Sequence, residues 1–145
     1  MPVIPTGLRV AAFALLLMVT AGRAAAEDIS GFWYGEGYQG RGYLQWLSER
    51  RPDGSFFVEF RQYKECQMTF QQKEAGRWKL EGNIYSTATS MIDGERADYA
   101  DRYQLESVIQ GVMKYKHLKS GHTFTTYRVG DDFRWPTCDP AKLVS

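Results

Sequence analysis

The chain has 145 residues, with 18 Lys and Arg against 17 Asp and Glu and a formal net charge of +1. A balance this close to neutral gives no electrostatic case for nucleic acid or an anionic membrane as a partner. The length bounds the chain to one domain with one modest core, and four Trp, nine Tyr and eight Phe favour strands over helices.

The N-terminus reads as a secretory signal peptide over 1–26. Arg9 supplies the basic region, Val10–Val19 an unbroken apolar run, and Ala24-Ala25-Ala26 a small-x-small cleavage site between Ala26 and Glu27. The run falls short of the roughly 20 apolar residues that span a bilayer. No cysteine lies near the cleavage site to carry a lipid. The expected product is an exported, soluble protein of the periplasm or the exterior. Removing Arg9 and Arg23 with the signal leaves 16 basic against 17 acidic residues, a net charge of −1.

From Glu27 the chain predicts a single domain over 27–145, with a tail from about 131. Gly31–Gly37 is an aromatic, Gly-rich first strand. Gly42–Arg51 and Ser55–Tyr63 flank Pro52-Asp53-Gly54, a hairpin turn signal. Phe56, Val58 and Phe60 alternate with Glu59 and Arg61, the period of a strand with one buried face. Gln67–Lys73, Arg77–Leu80 and Ile84–Ser90 follow, separated by turn signals at Glu74-Ala75-Gly76 and Glu81-Gly82-Asn83. Asp93–Asp98 reads as a charged loop. Arg102–Val108, Val112–Leu118 and His122–Val129 complete the series, with turns at Gln110-Gly111 and Ser120-Gly121. The expectation is all-β: an up-and-down antiparallel meander of eight or nine strands, closed into a small barrel because closure removes both edges.

Cys66 and Cys138 form an even pair, which in an oxidising compartment predicts one bridge from mid-domain to tail; two free thiols are the alternative.

With these elements in place, the sequence resembles the lipocalin-type (calycin) barrels. Gly31-Phe32-Trp33 matches the Gly-x-Trp of their first strand, and Arg128 matches the basic residue that packs over that Trp, with Arg134 as a rival. Cys66 and Cys138 match the common bridge between a middle strand and the tail. The resemblance implies a barrel floor plugged by Trp33 under a cation–π cap. It also implies a central site for a small ligand. The chain is shorter than typical members, and Asp131–Ser145 holds no counterpart of their C-terminal helix, which leaves the cavity's size open.

Chemistry is sparse. The sequence holds no nucleophile elbow, phosphate loop or zinc spacing, so no enzyme, cofactor or metal is expected. If Ser120-Gly121 is a two-residue turn, His117 faces Phe124 and Lys119 faces His122, which separates the two imidazoles. Asp93, Glu95, Asp98 and Asp101 lack calcium-loop spacing, and Arg50-Arg51 reads as a hairpin end. The expected cavity lining is Tyr34, Trp46, Phe56, Phe60, Trp78, Tyr103, Tyr115 and Phe124. Phe32 and Phe70 are further interior candidates, and Thr87, Thr89 and Thr126 would add polar contacts. The expected function is binding of a small apolar or amphipathic ligand. The alternative is a periplasmic protein-interaction module, such as a hydrolase inhibitor, acting through the Ser120-Gly121 tip or the Asp93–Asp98 loop.

Overall fold

The structure, a computed structural model, describes residues 28–39 and 42–139; the expected signal peptide and its expected Ala26–Glu27 cleavage site lie outside the described residues. Eight strands follow one another: β1 (Gly31–Gln39), β2 (Gly42–Arg50), β3 (Ser55–Lys64), β4 (Gln67–Glu81), β5 (Ile84–Ile92), β6 (Glu95–Ile109), β7 (Val112–His117) and β8 (Thr123–Val129). Each pairs antiparallel with the next, and β1 pairs with β8 through Phe32↔Val129 to Gly35↔Thr126, so the sheet closes into an up-and-down barrel. None of the described residues is helical.

Short connections make the meander. Asp93-Gly94 and Gln110-Gly111 place both residues at positive φ, the geometry whose twist suits two-residue hairpins. Glu65-Cys66 does the same with two residues that carry side chains. At the β2–β3 hairpin, Asp53 Oδ1 accepts the Ser55 N–H at 2.8 Å and the Arg51 carbonyl accepts the Gly54 N–H at 3.0 Å, as the Pro-Asp-Gly signal predicts.

Two sequence expectations are corrected. Glu74-Ala75-Gly76 is not a turn: β4 runs through it for 15 residues, and its register to β5 shifts between Ala75 and Gly76. Gly inside a strand often marks such a bulge rather than a chain reversal. Asp93–Asp98 is not a loop either, because the strand resumes at Glu95 directly after the two-residue turn.

One end of the barrel is plugged. Trp33, fully buried, packs with Ile29, Met113, Tyr85 and Tyr115, and its indole N–H donates to the Ile29 carbonyl at 2.9 Å. Arg128 lies over the indole with its guanidinium carbon 4.4 Å from a ring centroid, and it also donates to the carbonyls of Ser30 and Asp28. Arg134 instead donates to the Phe133 carbonyl. Gly31 begins β1 at φ +96°, and a Cβ there would come within 3.1 Å of Arg128 Nη1. The backbone conformation therefore favours glycine two residues before the tryptophan, and a Cβ there would also crowd the arginine.

The tail crosses the outside of the barrel. Phe133 and Trp135 pack against Tyr34 at ring-centroid distances of 5.2 and 6.2 Å, and Arg61 sits 3.9 Å over Trp135. Gln45 Nε2 donates to the Pro136 carbonyl at 3.4 Å. The tail is fastened by the Cys66–Cys138 disulfide to the turn between β3 and β4.

Candidate functional site

Above the plug the barrel interior forms a cavity of about 200 Å³ that is partly open to solvent. Inward-facing positions build its wall. On β2 the alternation brings Leu44, Trp46, Ser48 and Arg50 inside; on β3 it brings Phe56, Val58 and Phe60. Tyr85, Thr87 and Thr89 come from β5, Tyr99, Asp101 and Tyr103 from β6, and Tyr115 and Phe124 from β7 and β8. Trp46 reaches inward because Gly35 beside it has no side chain: a Cβ there would overlap the indole at 2.2 Å.

One wall is an aromatic stack. Tyr115 and Phe124 lie parallel at 5.4 Å, Tyr103 meets Tyr115 edge-on at 5.3 Å, and Trp46 meets Phe124 edge-on at 5.7 Å. Such offset and edge-to-face arrangements suit the ring quadrupoles. Burial pushes the Tyr115 hydroxyl up to about 12, against the opposing pull of the Arg50 guanidinium. Burial, reinforced by the Asp101 carboxylate, also pushes Tyr103 above the ordinary tyrosine range. Both therefore stay protonated near neutrality and present neutral hydroxyls.

Three formal charges line this cavity, in unlike surroundings. Glu74 accepts from Gln72 Nε2 at 2.6 Å and from the Thr89 hydroxyl at 3.5 Å. Asp101 is 2.9 Å from His117 Nε2, and the other ring nitrogen of His117 is 2.8 Å from the Ser120 hydroxyl. Arg50 is 2% exposed and stacks its guanidinium carbon 4.5 Å over the Tyr85 ring. Its Nε and Nη1 have no hydrogen-bond partner among the described residues.

Of the predicted lining, Trp46, Phe56, Phe60, Tyr103, Tyr115 and Phe124 converge on the cavity. Tyr34 does not. It points outward, and the tail that buries it is what gives an outer position the exposure of a core one. Trp78 lies outside the cavity wall too, packed against the core cluster beside Tyr85 with its indole N–H on the Arg51 carbonyl. Phe32 faces a shallow outer groove with Leu47 and Phe57, and Phe70 is exposed. Thr87 and Thr89 line the wall, while Thr126 is buried outside it.

The histidine register is also corrected. The β7–β8 connection is longer than two residues: Tyr115 faces Phe124, and the His117 N–H bonds the His122 carbonyl at 2.8 Å. The most consequential residue that sequence reasoning missed is Arg50. Its parity with Trp46 and Ser48 marks it as inward, but a charge beside Arg51 at a strand end reads as solvated. Tyr85 shares parity with Thr87 and Thr89 and was legible in the same way. Compared with protein-family models and with curated proteins, the chain matches none.

Proposed function

We propose that this chain is an exported, lipocalin-like binding protein that holds a small apolar or amphipathic ligand inside the barrel. The observation that carries the reading is the interior cavity of about 200 Å³, walled by aromatic rings with a few hydroxyls, one arginine and two carboxylates. Apolar walls with sparse, placed polar groups are the general make-up of small-molecule sites. Export accords with the Cys66–Cys138 bridge, since disulfides persist in oxidising compartments. It accords also with the composition of residues 1–26. The Trp33–Arg128 contact accords with the family resemblance at two of the residues on which it rests.

The interaction-module alternative has less support. Asp93-Gly94 is a tight turn rather than a projecting loop, and Ser120 is tied to His117.

Native mass spectrometry of the protein purified without denaturation tests the binding reading. The expected result is a small non-covalent mass that is lost on unfolding. A protein that is ligand-free and takes up nothing from a cell extract, while it inhibits a hydrolase such as lysozyme, overturns it in favour of the alternative.

A further inference from the structure

Arg50 is the charged group on the cavity wall that leaves nitrogens without a hydrogen-bond partner among the described residues. The two carboxylates on its wall are each held by a donor, Glu74 by Gln72 and Asp101 by His117. The guanidinium contacts a tyrosine face and leaves two of its nitrogens unbonded, although the side chain is 98% buried, the complement of its 2% exposure. A buried charge is tolerated when an opposite charge or strong acceptors meet it. Among the described residues no carboxylate forms an ion pair with Arg50. The cavity that Arg50 lines is where an acceptor can come from.

The space selects the rest of the molecule. A cavity of about 150 Å³ in an apolar core accommodates benzene. About 200 Å³ therefore takes one ring, or a chain of similar bulk, with a carboxyl group attached. Tyr115, Phe124 and Trp46 offer ring faces and edges to such a body. The acidic pair Glu74 and Asp101 on the same wall opposes a second negative charge on the ligand.

We infer that Arg50 is an anion-recognition residue and that the ligand is a small monocarboxylate with one ring or a short apolar body, its carboxylate on the Arg50 guanidinium. The inference rests on the binding-barrel reading above and names its ligand class. A planar guanidinium suits a carboxylate because it can donate two parallel N–H bonds to it.

Calorimetric titration of the disulfide-intact protein with benzoate, benzyl alcohol and benzylammonium, three probes of similar size, tests it. Benzoate is expected to bind at least tenfold tighter than benzyl alcohol, and benzylammonium more weakly than either. In Arg50→Met, benzoate affinity falls tenfold or more and benzyl alcohol affinity stays within threefold. The melting temperature of that variant rises, because an unpaired buried charge has been removed.

If benzoate and benzyl alcohol bind the unaltered protein alike, Arg50 is not an anion site, although the barrel still binds ligands. Full benzoate affinity in a folded Arg50→Met likewise rules out an anion site at this residue. If none of the three binds, the ligand class is wrong; whether the binding reading falls too is decided by the native mass spectrum. The three-probe series on the unaltered protein decides the matter even where Arg50→Met does not fold.

Discussion

Arg128 couples three parts of the barrel at once. It comes from the last strand, covers the indole of the first, and ties down the carbonyls of Asp28 and Ser30 in the segment that leads into β1. That segment is itself braced by Asp28, which accepts both the N–H and the hydroxyl of Ser30 at 2.9 and 2.6 Å. These bonds hold the Asp28 carboxyl below its usual range. Arg128→Ala removes the charged hydrogen bonds and the cation–π contact together. The expected loss of stability is about 1–3 kcal/mol, reduced toward the lower figure by the exposure of the guanidinium. Urea denaturation checks it, and an unchanged midpoint would place the support for Trp33 elsewhere. The Gly31–Trp33–Arg128 trio was expected from the resemblance alone, with Arg134 as a rival for Arg128, and the contact over the indole is made by Arg128. Arg50 was missed because two local signals conflict: its parity with Trp46 and Ser48 points inward, while a charge beside Arg51 at a strand end reads as solvated.

At the level of elements, the tail and the bridge form one device. The strap over β1–β3 is built from Phe133 and Trp135 on Tyr34, and from Arg61 over Trp135. The bridge closes a sequence separation of 72 residues. The chain-entropy model assigns a loop of that length a stabilisation of about 4 kcal/mol. Reduction should therefore lower the melting temperature and expose Tyr34 and Trp135. Hydrogen exchange over 131–139 should rise before exchange in the strands does. A reduced protein whose tail stays protected would show that packing alone fastens the strap. The strands themselves were legible from period-2 alternation and turn residues. The long β4 and β6 were not, because a bulge at Gly76 and a two-residue turn at Asp93-Gly94 use the same residues that mark loops. Tyr34 misled in the opposite direction. Its burial depends on a segment about a hundred residues away, which no local pattern reports.

Over the whole molecule, the tyrosines link stability to alkaline pH. Burial, aided in two cases by Glu36 and in two by Glu74, raises Tyr34, Tyr43, Tyr99, Tyr103 and Tyr115 above the ordinary value, Tyr115 to about 12. In the unfolded chain these groups ionise near pH 10. Above that pH the unfolded state has released protons that the folded barrel still holds. The stabilisation is thus complete below pH 10 and is lost progressively as pH rises toward the folded values. The expected outcome is a urea midpoint that falls steeply above pH 10, with tyrosinate absorbance growing in step with unfolding. Titration of all nine tyrosines near pH 10 in an intact barrel would contradict it.

The seam between β1 and β8 carries a consequence for how such a chain matures. The first strand finds its second neighbour only in residues 126–129, and the covalent clasp needs Cys138. During N-to-C synthesis, every shorter chain has an open sheet with its hydrogen-bonding edge and aromatic interior bared to water. No partial product can rest in a finished form. Closure of the sheet has to wait for almost the entire length. Contacts between the two ends of a chain make closure slow and leave the intermediates prone to aggregation. A protein with this seam depends on staying unfolded, or on being shielded, until its last strand has emerged.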